Sequence, residues 1–160
     1  MKDYIAEQLQ KQLNRERYNS QAYLFIGSIC ENMAFDGFAS FFRKQAQDEI
    51  GHAHRFEEFL ISKRVQPQYR DLEGFVGAGW LDLSLDRITN IALSLELATT
   101  AHLSEMYFDA EGEDPQVCAL VYEMLLEQVE EEKWATDLVD LVSRSDYSGW
   151  LILDEKYGKL

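Results

Sequence analysis

Four long segments of the chain repeat apolar residues at steps of three and four, the spacing that places side chains on one face of an α-helix. They run from about residue 3 to 32, from a break at 34–37 to about 63, from about 84 to 110, and from 115 to about 143. A short fifth helix is predicted at 150–157, after a turn at 145–149. Because short breaks make neighbouring helices antiparallel, we expect an all-α four-helix bundle with a short C-terminal helix.

The connection between the second and third helices is much longer and extends from Arg64 to about Leu83. A segment of about twenty residues reaches at most about 66 Å, whereas each helix spans on the order of 40 Å. The chain can therefore cross back to its starting end, so that the second and third helices run parallel. We expect the apolar residues of this crossover, among them Val76, Trp80 and Leu81, to pack on the bundle or on another subunit.

Each of the four apolar stripes also contains a carboxylate. In the second helix, Glu49 and His52 are three residues apart, so that they point at the same spot. The other three helices contribute Glu16, Glu96, and the pair Gln128 and Glu131. A carboxylate in a core is costly unless it is paired, protonated or bound to metal.

Any one of these carboxylates could be accidental, because an acidic helix produces Glu-x-x-His by chance and a small error in register would move Glu16 to the edge of its face. Together they match a di-iron carboxylate centre, in which two helices give one Glu each and two give a Glu-x-x-His-like pair. Converging carboxylates repel one another, and two divalent cations neutralise that charge. Oxygen-rich ligands with one imidazole suit iron, manganese or zinc.

Three further acidic residues flank this constellation on neighbouring helical faces: Asp48, Glu127 and Glu130. They stand one residue or one turn from Glu49 and Glu131. Two interpretations remain open, an ordinary solvated face or a further cation site.

Length and charge limit the classes of partner. The 160 residues, 46% of them hydrophobic, suit a single domain over 1–160. A net charge of -14 repels nucleic acid and anionic membranes and concentrates cations. The two cysteines, Cys30 and Cys118, have no metal-type spacing and fit a reducing compartment, and no stretch approaches the roughly 18 apolar residues of a membrane span. We expect a cytoplasmic protein.

Several local motifs point to a known family: Arg15-Glu16-Arg17-Tyr18, Ala22-Tyr23-Leu24, Phe41-Phe42-Arg43-Lys44-Gln45-Ala46-Gln47-Asp48-Glu49, His52, and Glu127-Gln128-Val129-Glu130-Glu131-Glu132-Lys133. They resemble those of the ferritins, most closely the non-haem bacterial ferritins. The resemblance covers nearly the whole chain. It implies a ferroxidase that oxidises Fe(II) with dioxygen or hydrogen peroxide and stores the ferric mineral inside a hollow homo-oligomeric shell of 24 subunits.

The resemblance also implies roles for individual residues. Glu16, Glu49 and His52 would hold the first iron. Glu49 would bridge to a second iron held by Glu96 and Glu131, with Gln128 close by. A third iron site would use Asp48, Glu127, Glu130 and Glu131, with Asp48 in place of a more usual Glu. Tyr23 matches a tyrosine beside the di-iron centre that could supply an electron.

Some positions depart from related families. A bacterioferritin would have Met directly after the Glu of the second helix and a second Glu-x-x-His on the fourth, whereas this chain has Ile50 and the run Gln128-Val129-Glu130-Glu131, so we expect no haem. Cys118 and Val121 stand where animal ferritins place the acidic residues of the three-fold entry channel, which leaves the iron entry route open.

Two other functions compete with iron storage. A di-iron peroxidase or oxygenase of the rubrerythrin type could use the same bundle, but would be expected to carry more histidines or a CxxC rubredoxin module. A non-catalytic cage-forming subunit would be expected to have lost ligands, whereas Glu16, Glu49, His52, Glu96 and Glu131 are all present.

Overall fold

The computed structural model describes residues 1–75 and 83–160, and within these ranges it contains five helices and no strand. The helices are α1 (Asp3–Asn32), α2 (Asp36–Ser62), α3 (Leu85–Ala110), α4 (Pro115–Arg144) and α5 (Tyr147–Tyr157). The predicted all-α class and the four long helices are confirmed. None of the helices in the described ranges carries an apolar stretch long enough to cross a membrane.

Three of the helices have a side-chain cap at their N-terminus. Asp114 accepts hydrogen bonds from the backbone N–H groups of Gln116 and Val117, and Pro115 occupies the first turn, as the sequence predicts for α4. Ser84 caps α3 in the same way. Asp146 caps α5 by accepting from the Gly149 N–H, so that this helix begins three residues before the predicted Trp150.

The helix directions follow from contacts between pairs of helices. Near the start of α1, the Tyr4 hydroxyl donates to the Asp109 carbonyl at the end of α3, and in mid-helix Asn19 Nδ2 donates to Thr99 Oγ1 at 2.9 Å. The turn at 33–35 makes α2 antiparallel to α1. Because α1 runs antiparallel to both α2 and α3, the latter two are parallel, as a bundle with one long crossover requires.

The first part of the crossover runs along α1 and in the same direction. Successive α1 side chains donate to successive crossover carbonyls: Gln10 to Gln66 at 2.9 Å, Asn14 to Gln68 at 2.7 Å, Arg17 to Arg70 at 3.2 Å and Gln21 to Glu73 at 3.2 Å. The predicted return of the chain is therefore confirmed as far as the structure describes it. Val76, Trp80 and Leu81, for which we predicted packing, lie outside the described residues.

The apolar core is divided into two clusters along the bundle axis. One cluster includes Phe42, Ile88 and Leu138 and continues onto α5, and the other includes Leu9 and Val121. Between them lies a layer of buried polar side chains, which we call the polar layer: Glu16, Asn19, Glu49, His52, Glu96, Thr99 and Gln128. The fold thus places polar groups of all four long helices at one level.

The helix α5 packs across the start of α2. The Phe38 N–H donates to Asp154 Oδ1 at 2.8 Å, and the Tyr157 ring lies 5.5 Å from the Phe38 ring. We assigned Gly37 to the break between helices, and that was wrong: α2 already begins at Asp36, and the left-handed residue of the turn is Ala34 with φ 61°. A glycine is needed at 37 because a Cβ there would lie 1.8 Å from the Asp154 carbonyl oxygen.

Substituting alanine at Gly37 tests this close approach. We expect Gly37→Ala to lower the free energy of unfolding by about 1–3 kcal/mol, because α5 must move away from α2. Gly51→Ala is the matched control: it lies in the same helix, a Cβ there meets nothing within 4 Å, and we expect stabilisation of about 0.5–1 kcal/mol. Urea unfolding followed by circular dichroism measures both, and equal effects of the two substitutions would contradict the packing described here.

Candidate metal centre

Three side chains of the polar layer offer one ligand atom each within 4.8 Å of one another. They are Glu16 on α1 and Glu49 with His52 on α2, and they form the only such group among the described residues. Glu49 and His52 meet because they are three residues apart on one helix, and Glu16 faces them because α1 packs against α2. The sequence prediction that these three residues converge agrees with this geometry.

Two atoms of this group are buried and accept no hydrogen bond from any described residue, Glu16 Oε2 and His52 Nδ1. A buried polar atom without a partner costs about 1–3 kcal/mol. His52 Nε2 lies 3.1 Å from Glu127 Oε2, and a proton on Nε2 would leave the Nδ1 lone pair free for a metal ion. A divalent cation would satisfy both atoms, so the donor set fits a metal ion.

Glu49 is the carboxylate most strongly affected by its surroundings. Burial raises its pKa well above the ordinary value, and the charge of Glu16 raises it further, followed by Glu96 and Glu131. Its hydrogen-bond donor is Asn19 Nδ2, at 3.4 Å. A positive ion between these carboxylates would reverse the effect of their mutual repulsion.

Glu96 lies on α3 and is held by two neutral donors. The Tyr23 hydroxyl donates to Oε1, and Gln128 Nε2 donates to Oε2 at 3.1 Å. Burial raises the pKa of Glu96 to about 7, although both hydrogen bonds oppose the shift. The pKa of Tyr23 is raised well above its ordinary value by burial and then by the charge of Glu96.

Glu131 lies at the side of the polar layer and is only partly buried. The Trp134 indole N–H donates to its Oε2. Burial raises the pKa of Glu131, and the indole hydrogen bond opposes the shift. The charge of Glu131 also raises the pKa values of Glu49 on α2 and Glu96 on α3. The three carboxylates are therefore close enough to be electrostatically coupled.

Three of the four residues predicted for a third site, Asp48, Glu127 and Glu130, are exposed, and Glu127 has other partners. Both oxygens of Glu127 have a partner: Oε1 pairs with Arg55, and Oε2 lies 3.1 Å from His52 Nε2. Arg55 also binds Glu123 at 3.0 Å. Asp48 and Glu130 lie on the exposed faces of α2 and α4. Glu127 is thus placed to orient the imidazole of His52.

Sequence reasoning missed several side chains that contact the candidate ligands or the partners of these ligands: Gln12, Asn19, Arg55, Thr99 and Trp134. A signal for each of them existed. Gln12 precedes Glu16 by four residues, and Asn19, Arg55 and Trp134 each follow a candidate ligand by three, so they share a helical face with it. Thr99 follows Glu96 by three in the same manner.

Comparisons with known proteins agree with the geometry. The family model of the ferritin-like domain matches residues 6–145. A bacterial non-heme ferritin of Bacteroides fragilis is 28% identical over 97% of this chain and 99% of its own length. A bacterial non-heme ferritin of Staphylococcus aureus is 28% identical over 95% and 91%. An open pore ferritin of Archaeoglobus fulgidus superimposes with a TM-score of 0.90 at 23% identity over 99% of this chain and 98% of that one, which shows a common fold.

The raised pKa of Glu96 predicts how metal-free stability depends on pH. A folded-state pKa of about 7 against an ordinary 4.5 means that the protonated form favours folding, and this contribution is lost as the pH rises through about 7. We expect Glu96 alone to lower the free energy of unfolding by on the order of 1 kcal/mol between pH 6 and pH 8. Urea unfolding of metal-free protein at both pH values measures the difference.

The matched pair of variants for this measurement is Glu96→Gln and Glu105→Gln. The first keeps acceptor and donor atoms in the polar layer but cannot ionise, so that the pH dependence decreases by the amount due to Glu96. The second removes an exposed carboxylate from the same helix. Its charge acts on His102 but is not among the causes of the raised pKa of Glu96, so we expect this variant to keep the part of the pH dependence that is due to Glu96. An unchanged pH dependence in Glu96→Gln would show that another group is responsible.

Proposed function

The chain belongs to the ferritin family, among the non-haem bacterial type, and from this premise we propose that it oxidises Fe(II) to Fe(III) at a di-iron centre in its own bundle and stores the ferric product. The observation that carries the proposal is the pair of unpartnered buried atoms, Glu16 Oε2 and His52 Nδ1, beside Glu49. Iron is the substrate, and the polar layer binds it.

In this proposal Glu16, Glu49 and His52 hold the first iron, and Glu49 bridges to a second iron held by Glu96 and Glu131, with Gln128 beside it. The four carboxylates carry together the charge that two Fe(II) ions balance. Burial and mutual repulsion keep protons on some of these carboxylates at neutral pH, and metal binding releases them.

The electron count of the oxidation fits a paired site. Each Fe(II) gives up one electron, and dioxygen takes two electrons and two protons to become hydrogen peroxide. With hydrogen peroxide as the oxidant, two electrons and two protons give two water molecules. Tyr23 donates a hydrogen bond to Glu96 and is fully buried, which supports the proposal that it lies beside the centre.

Assembly into a hollow shell, which we propose to contain 24 subunits, is supported by apolar side chains on the surface of the isolated chain. Phe108, Val129 and Ile152 are at least 60% exposed. Burying such side chains against further copies of the chain would stabilise an assembly.

The two positions considered for an entry channel differ in burial. Val121 is buried in the core and cannot line a channel. The Cys118 side chain is partly buried, and its thiol lies 3.9 Å from the Tyr107 carbonyl oxygen.

The first prediction from this proposal concerns Glu49. Adding two equivalents of Fe(II) per chain without oxygen and then admitting air is expected to give a transient visible absorption and then a stable ferric absorption. Glu49→Ala is expected to slow this oxidation by at least ten-fold, because both iron ions lose a shared ligand. Glu58→Ala, an exposed carboxylate on the same helix, is expected to react as the wild type does.

Equal and slow oxidation in all three proteins would refute the ferroxidase and leave a non-catalytic shell subunit. A rubrerythrin-type peroxidase would instead consume peroxide over many turnovers without accumulating a ferric mineral. Size-exclusion chromatography with light scattering measures the number of subunits independently of the chemistry.

The second prediction concerns Glu127, which we propose to act through His52. We expect Glu127→Ala to weaken the first binding event for Zn(II), a redox-inert probe, by about 10- to 100-fold with an unchanged number of ions. Glu123→Ala, which also removes a partner of Arg55 but does not contact His52, is expected to bind Zn(II) normally. Isothermal titration calorimetry measures both quantities. Loss of one binding event at unchanged affinity would instead make Glu127 a ligand of a third site.

A further inference from the structure

A buried amide connects one of the proposed iron ligands to a histidine on another helix. Gln12 on α1 is fully buried, one turn before Glu16, and its Nε2 donates to Glu16 Oε1. The Oε1 atom of the same amide is hydrogen-bonded to His102 Nδ1 on α3. The three side chains form one chain of hydrogen bonds that crosses from α3 to the edge of the polar layer.

The chemistry of the three groups fixes the direction of these hydrogen bonds. Gln12 turns its NH₂ group, which can only donate, to Glu16. The amide oxygen that remains can only accept, so His102 must carry its proton on Nδ1. Consequently Glu16 Oε1 is occupied, whereas Glu16 Oε2 is the buried atom without a partner.

We infer that Gln12 and His102 are positioning residues of the metal centre, which hold Glu16 so that it presents a single oxygen to the metal. The inference rests on the proposed function, because it takes Glu16 as an iron ligand. A glutamate fixed in this way loses less conformational freedom when it binds a metal ion, and outer hydrogen-bond partners of ligands typically contribute 10- to 100-fold in metal affinity.

The surroundings of His102 fit a neutral donor. The imidazole is half-buried and lines an open cavity of about 530 Å³ together with Lys11 and Arg15. Burial, followed by the charge of Arg15, lowers the pKa of His102. A neutral ring holds the amide without adding a positive charge that would compete with a metal ion for Glu16.

Gln10 provides a matched control on the same helix. It is also a buried glutamine, but it donates to the Gln66 carbonyl at 2.9 Å and accepts from the Gln68 N–H at 2.8 Å, both in the crossover. Replacing Gln10 by leucine therefore removes a buried amide of the same size without touching the polar layer.

The test is titration of the metal-free full chain with Zn(II) by isothermal titration calorimetry, with urea unfolding of the same samples. We expect Gln12→Leu to weaken the first binding event by at least ten-fold. His102→Leu is expected to weaken it in the same sense. His102→Asn is expected to restore it, because the asparagine NH₂ replaces the Nδ1–H donor. Gln10→Leu is expected to lose stability but to keep wild-type affinity.

Wild-type affinity in Gln12→Leu, or the same loss of affinity in Gln10→Leu, would overturn the inference. If Gln12→Leu does not fold, the pair His102→Leu and His102→Asn decides, and equal affinities in these two variants would overturn it as well. Glu16→Ala separates this inference from the proposed function. Wild-type Zn(II) binding in that variant would refute the metal centre itself, whereas its loss beside an unaffected Gln12→Leu would refute only the positioning role.

Discussion

The burial of several carboxylates at one level of the bundle is the constraint on which the rest of the structure depends. Burial in a poorly solvated interior raises the pKa values of Glu49, Glu96 and Glu131, and the charges of neighbouring carboxylates raise them further. The metal-free polar layer therefore opposes folding. The apolar clusters on both sides, and α5 packed over the end of one of them, offset this cost.

The hydrogen-bond donors around these carboxylates are almost all neutral. Glu16, Glu96 and Glu131 receive hydrogen bonds from Gln12, Tyr23, Gln128 and Trp134, and no lysine or arginine is buried among the described residues. A buried arginine would neutralise a carboxylate and compete with a metal ion for it. A neutral donor fixes the side chain and leaves its charge in place. Arg55, which follows His52 by three residues on the same helix, contacts Glu127 on the exposed side.

The sequence could predict which level of the bundle would be polar. Glu49 stands at the centre of Asp36–Ser62, and Glu16, Glu96, Gln128 and Glu131 each lie within two residues of the midpoint of their helix. Residues at the midpoints of helices of similar length meet at one level whether neighbouring helices run parallel or antiparallel. The predicted convergence of Glu16, Glu49 and His52 therefore required only the helical period and the helix ends.

The hydrogen bonds between helices could not be predicted from the helical period and the helix ends alone. Three hydrogen-bonded pairs join α1 to α3: Gln12 with His102, Asn19 with Thr99, and Tyr23 with Glu96. The residue numbers rise along α1 while they fall along α3, as they must for antiparallel helices. These pairs exist only because the crossover places α3 antiparallel to α1 and because α3 is rotated about its own axis so that these residues face α1. Spacing within one helix shows which residues share a face, but it contains neither that rotation nor the side-chain conformations. The close contact of Gly37 with Asp154 was missed for the same reason, because the two residues are joined only by the docking of α5.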